Sequence, residues 1–158
     1  MRSFEIKTLI VEKTYAELSE SERKIVDIAR DATYRSYAPY SNFKVGAAIL
    51  LSNGEIISGD NQENAAFPSG LCAERTAAFY AHATYPEARF EAIAIAARGV
   101  NDEFLTEPIS PCGACRQVLL EYEKIGVEDV KVYLVGKDKV YILPSVKSLL
   151  PFAFTEVE

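Results

Sequence analysis

The chain contains no apolar run approaching the roughly 20 residues that a membrane-spanning helix needs. Its first fourteen residues are interrupted by Arg2, Glu5, Lys7, Glu12 and Lys13, so they do not read as a signal peptide, and a cytoplasmic location without membrane contact is expected. The sequence lacks a cluster of basic residues. Lys and Arg total 17 against 23 Asp and Glu, a net charge of −6. A surface that neutralises nucleic-acid phosphates needs the opposite balance, which excludes nucleic acid as a partner and favours a small, weakly charged ligand. The densest charge run, Glu20-Ser21-Glu22-Arg23-Lys24, mixes signs and reads as a solvated helix face. Repeats, low-complexity tracts and linkers are also missing. Cysteine is scarce: Cys72, Cys112 and Cys115 are all there is. An odd count without a secretion signal argues against a disulfide framework, so these three residues need another role.

What is present suits one domain: 158 residues, 49% of them hydrophobic, can bury a core. Residues 1–18 read as an N-terminal arm, with Phe4, Ile6, Leu9 and Val11 spaced as in a short strand or packed segment, and 19–158 as the domain proper. Ser19 and Glu22 form a capping-box pattern ahead of Ile25, Ile28, Ala29 and Ala32, which recur at helical spacing. That helix ends before Pro39. Alternating Val45, Ala47, Ile49 and Leu51 predict a strand over 44–51, and Asn53-Gly54 predicts a hairpin to 55–59. Helices are predicted over 71–83 and 113–123, and strands over 92–97, 131–135 and 140–143. Only Gly136-Lys137-Asp138-Lys139 separate the last two strands. Parallel neighbours require a crossover of about a dozen residues or more, so these strands are antiparallel. The expected fold class is α/β: a three-layer α/β/α domain with one mixed five-stranded sheet and a short tail helix.

All three cysteines lie in two segments that open predicted helices, Leu71-Cys72-Ala73-Glu74-Arg75 and Pro111-Cys112-Gly113-Ala114-Cys115-Arg116. Helix N-termini offer free amides and positive potential, which favour the thiolate, the form that binds zinc. Three thiolates fill three tetrahedral positions and leave one open, the pattern of a catalytic rather than a structural zinc site. The single histidine, His82, follows Cys72 by ten residues, about 15 Å along a helix, too far to close the site. Glu74 is two residues beyond Cys72, so it faces the open position without being a ligand and can move protons between water, substrate and leaving group. Three thiolates around a divalent cation leave a net negative charge, and Arg75 and Arg116 adjoin the ligands; at least one of them is expected to donate to a cysteine sulfur.

With these residues the chain resembles the cytidine deaminase family, in its small three-cysteine, homotetrameric branch. The matching blocks are Tyr37-Ala38-Pro39-Tyr40-Ser41, Phe43 to Ala48, Asn61 to Ala65, Cys72 to Thr76, Pro111 to Val118, and the tail Leu149 to Phe154. The resemblance implies hydrolytic deamination of cytidine and deoxycytidine to uridine and deoxyuridine with release of ammonia, a step of pyrimidine salvage. It implies that Cys72, Cys112 and Cys115 hold zinc, that Glu74 shuttles protons, and that Asn61 and Glu63 bind ribose hydroxyls. Glu74 and the backbone of Ala73 would read the pyrimidine edge, Phe43 would lie along the base, and Phe154 would be supplied by a neighbouring subunit of a homotetramer.

Three features depart from the family pattern: Phe67 where many relatives carry tyrosine, the Pro68-Ser69-Gly70-Leu71 loop, and the long arm. Among rival readings, deaminases of the blasticidin type lack a reason for the Asn61/Glu63 pair. Polynucleotide deaminases favour a histidine ligand, a parallel final strand pair and a basic path. A purely structural zinc module would need a fourth ligand and gives no role to Glu74.

Overall fold

The computed structural model describes residues 1–156. Its centre is a mixed six-stranded sheet, in the order β1-β6-β5-β4-β2-β3. The strands are β1 (Val11–Thr14), β2 (Lys44–Leu51), β3 (Ile56–Asp60), β4 (Phe90–Arg98), β5 (Lys131–Val135) and β6 (Lys139–Leu143). Helix α1 (Glu20–Ala32) covers one face; α2 (Ala73–Thr84) and α3 (Gly113–Gly126) cover the other. The architecture agrees with the three-layer expectation, and β5 and β6 are antiparallel as their short connection requires. The strand count is corrected from five to six. Val11–Thr14 pairs antiparallel with β6, shielding a strand that would otherwise be the sheet's edge. Residues 1–10 precede it without secondary structure, leaving Phe4, Ile6, Leu9 and Ile10 exposed. Among the described residues no helix is long and apolar enough to cross a membrane.

Helix α1 starts where the sequence provides a capping box. The Ser19 hydroxyl accepts the Glu22 N–H while the Glu22 carboxylate accepts the Ser19 N–H, and α1 then turns Ile25, Val26, Ala29 and Ala32 into the core. Helix α2 buries only small side chains, Ala73, Ala77, Ala78 and Ala81, beside Glu74. That alanine face lets the helix approach the sheet closely. A Cβ on Gly59 of β3 would lie 2.5 Å from the Ala77 nitrogen, so glycine is required there. Gly46 of β2 does the same for α1, where a Cβ would meet the Ala29 carbonyl at 2.2 Å.

The central pair β4 and β5 is parallel, joined through α3. The start of α3 therefore lies beyond the C-terminal end of β4, the position where open α/β sheets place ligands. Beyond β6, a short 3-10 turn over Val146–Leu149 packs on α3. The buried Glu123 carboxylate of α3 secures this turn by accepting the N–H groups of Val146 at 2.7 Å and Lys147 at 3.2 Å, along with that of Val130 at 3.0 Å.

Candidate active site

Cys72 and Cys112 are the N-cap residues of α2 and α3, both in extended backbone conformation. Neither side chain caps its own helix, so both sulfurs are available to other partners. Cys115 lies one helical turn after Cys112, on the same face. The two helix starts meet, and the three sulfurs lie within 4.8 Å of one another. Cys112 and Cys115 are 3.6 Å apart at sulfur. Thiolates about 2.3 Å from a tetrahedral metal sit about 3.8 Å apart, so the donors are already near the spacing that zinc requires.

The protonation pattern points the same way. A hydrogen bond from Cys115 and the nearby Arg75 guanidinium hold the Cys72 thiol down at about 5, against the effect of burial. Cys115 is pushed up, by that same bond and by burial. Opposite shifts at two neighbouring sulfurs reflect the cost of placing two negative charges side by side, a cost that a divalent cation between them would offset.

Arg75 donates to the Cys72 sulfur at 3.6 Å. Arg116 does not share that job. Its guanidinium donates to the carbonyls of Pro111 at 2.8 Å and Leu149 at 2.9 Å, and to the Ser110 hydroxyl at 2.8 Å. The expectation of a sulfur contact therefore applies to Arg75, while Arg116 ties the segment leading into Cys112 to the C-terminal tail. The reason is geometric: the donors of the planar fork are engaged by two acceptors earlier in the chain, Ser110 and Pro111, and one later, Leu149, rather than by a sulfur.

Glu74 is only 4% exposed. Burial raises its carboxyl above the ordinary range, and the negative charge at Cys72 adds to the effect. An upward shift of this kind makes the carboxylate a stronger proton acceptor than an ordinary glutamate. The backbone of Ala73 is buried beside it.

A cavity of about 470 Å³ opens beside this cluster, lined by residues that include Tyr40, Asn61, Glu63, Phe67, Cys72 and Arg75. A slightly smaller hollow near Pro86 holds none of the cysteines. Phe43 and Phe154 are not among the residues lining the larger cavity. Phe43 packs against the rim of the core, whereas Phe154 is 67% exposed on the tail, with its carbonyl bound by Gln117 at 2.7 Å. Cys112 is itself exposed.

The polar end of the cavity is built from distant segments. Asn61 Oδ1 accepts from the Val45 N–H at 2.8 Å and from the Ser36 hydroxyl, and its Nδ2 donates to the Phe43 carbonyl at 2.9 Å. Glu63 Oε2 accepts the N–H groups of Tyr40 at 2.8 Å and Ser41 at 3.2 Å, and its Oε1 accepts the Ser41 hydroxyl. These bonds hold the Glu63 carboxyl below its ordinary range, the Ser41 hydroxyl foremost. Sequence reasoning did not give Ser36 or Ser41 a role. No local spacing marks them; only membership of the Tyr37–Ser41 block could have drawn attention to Ser41.

Residues 19–134 match the family model described as the cytidine and deoxycytidylate deaminase zinc-binding region. A cytidine deaminase of Halalkalibacterium halodurans is 44% identical over 131 residues, covering 83% of this chain and 92% of that protein. A cytidine deaminase of Sporosarcina psychrophila is 40% identical over 133 residues, 84% of this chain and 90% of its own. Among solved structures, the cytidine deaminase of Burkholderia pseudomallei superimposes with a TM-score of 0.71 at 39% identity, covering 87% of this chain and all of that one. That of Mycobacterium tuberculosis gives 0.66 at 33% identity, with 84% and 96% covered.

Proposed function

The chain belongs to the cytidine and deoxycytidylate deaminase family, and from that premise we propose that it hydrolyses the exocyclic amine of cytidine and deoxycytidine. The products are uridine or deoxyuridine and ammonia. The observation that carries this reading is the meeting of three cysteine sulfurs at two helix starts, one of which also carries the buried Glu74, with Cys72 lining a nucleoside-sized cavity.

Cys72, Cys112 and Cys115 would hold the zinc. A bound zinc would supply Lewis acidity toward the attacking water. The chain's own residues do the rest. Glu74 would accept one proton from the attacking water and give it to the ring nitrogen N3 as the C4–O bond forms, then accept the water's remaining proton and give it to the amine as the C4–N bond breaks. Its burial favours the protonated carboxyl between the two transfers. Arg75 offsets the negative charge of the thiolates through its contact with Cys72.

At the other end, Asn61 and Glu63 bind the sugar. The hydrogen bonds already made leave one Nδ2 hydrogen on Asn61 and one acceptor position on Glu63 Oε1. One donor and one acceptor suit a single hydroxyl, which accepts and donates at once. Phe43, outside the cavity's lining, would lie along the base as the family resemblance implies.

A homotetramer is part of the same proposal. Its support is the exposure of Phe67, Phe79, Tyr80, Phe152 and Phe154, together with that of the ligand Cys112. Residues from 19 onward carry the activity, with 1–18 as an appended arm, and the enzyme acts in the cytoplasm. The test is cytidine absorbance with purified protein, with and without a zinc chelator. A falling cytosine band with stoichiometric ammonia, abolished by the chelator, is expected. No change with folded, zinc-loaded protein would overturn the assignment. Sedimentation showing a fully active monomer would remove the tetramer and the role of Phe154.

A further inference from the structure

We infer that Ser41 is a positioning residue for the sugar end of the site, fixing the plane of the Glu63 carboxylate and the backbone of Phe43 through one hydroxyl. The inference rests on the reading of Glu63 as the sugar's acceptor. Ser41 lies in a tight reversal: Asn42 has a φ of +54° and its N–H reaches back to the Ala38 carbonyl at 3.0 Å. The turn aims the Ser41 hydroxyl at residue 63, twenty-two positions further on.

That hydroxyl donates to Glu63 Oε1 and accepts the Phe43 N–H at 3.0 Å. The two bonds reinforce each other, because donating the proton leaves the oxygen a better acceptor. Glu63 Oε2 is held independently by two backbone N–H groups. One anchored oxygen does not fix a carboxylate, since the terminal torsion of glutamate is soft and broad. Ser41 provides the second anchor, and it does so on the oxygen that keeps a free acceptor position. Without it Oε1 swings, and the Phe43 N–H loses its partner. The cysteines and Glu74 are untouched, so the loss falls on binding of the sugar and not on the chemical step.

The experiment uses full-length zinc-loaded protein with cytidine, 2′-deoxycytidine and 3′-deoxycytidine. In the unaltered protein, removing the hydroxyl held by Glu63 should raise KM roughly tenfold, the range for a hydrogen bond to a charged group. Ser41→Ala should raise KM for cytidine by a similar factor, leave kcat within about threefold, and shrink the penalty for the missing hydroxyl to about twofold. Ser41→Thr, which keeps the hydroxyl, should restore both values. If Ser41→Ala folds poorly, Ser41→Thr against the isosteric Ser41→Val gives the same contrast. A Ser41→Ala protein that retains the full hydroxyl penalty, while Glu63→Ala abolishes it, overturns the role of Ser41 alone. A Glu63→Ala protein with unchanged KM and an unchanged penalty overturns the sugar reading itself, and the role of Ser41 with it.

Discussion

The cysteine cluster and the sugar end of the cavity beside it are built in opposite ways. The metal end uses side chains delivered by two helix starts: Cys72 caps α2, Cys112 caps α3, and Cys115 follows one turn later. Each position is set by local helical geometry. The sugar end uses side chains held by bonds spanning 16 to 25 residues of chain, from Asn61 to Val45 and Ser36 and from Glu63 to Ser41. At the metal end the reactive groups are therefore largely free for chemistry. At the sugar end the same groups bind ligand and hold the loops together. Mutations at the first should separate activity from stability; mutations at the second should not.

The sharpest break in that comparison is Glu74→Gln. The amide keeps the shape of the side chain but cannot carry the proton, so turnover should fall at least roughly 10²–10⁴-fold. Zinc content and the thermal midpoint should stay near those of the unaltered protein. An active Glu74→Gln protein would remove the proposed mechanism.

Asn61→Ala should show the opposite behaviour. It strips partners from the Val45 N–H, the Phe43 carbonyl and the Ser36 hydroxyl at once. Each unsatisfied group costs about 1–3 kcal/mol where water cannot replace the partner. Stability should drop by about 2–4 kcal/mol in denaturant titration, and KM should rise in the protein that remains folded. Loss of affinity with no loss of stability would show that the two ends are not built differently.

This contrast also explains what the sequence made legible. Helix starts, the Asn53-Gly54 hairpin and the antiparallel final pair follow from local signals, and all appear in the fold. The cysteine cluster was readable because its spacing is helical and its chemistry is rare. β1 was missed as a strand of the sheet because Val11-Glu12-Lys13-Thr14 carries a single apolar side chain; its place depends on the partner edge of β6, which no local pattern reports. Asn61 and Glu63 entered through family resemblance, and their serine partners not at all, because a hydrogen bond across twenty residues leaves no periodicity.

A smaller effect should appear on loading the metal. The neighbouring Cys72 and burial push the Cys115 thiol up. Zinc needs the thiolate, so uptake at pH 7 should release at least one proton. Calorimetry in buffers of differing ionisation enthalpy reads that number directly. As pH falls, protons compete for the sulfurs and zinc affinity should weaken. Uptake without proton release would mean that the cluster is already fully ionised.

The smallest effect, and the finest division between the two modes of construction, is expected from Arg116. It lies next to a ligand in sequence, yet its three bonds run to Pro111, Leu149 and Ser110, in the manner of the sugar end. Lysine can replace at most part of that fork, because its ammonium is a single point on a flexible stem. Arg116→Lys should therefore lower stability by about 1 kcal/mol, as the tail loosens from the segment preceding Cys112. Zinc affinity should change by less than about threefold. If Arg116 instead served the sulfurs electrically, its loss would follow the pattern of groups supporting metal ligands, weakening the metal by roughly 10–100-fold. Arg116→Gln, which removes the charge, makes the distinction stronger: a fall in thermal midpoint with retained zinc assigns the residue to the backbone, and zinc loss at constant midpoint assigns it to the metal.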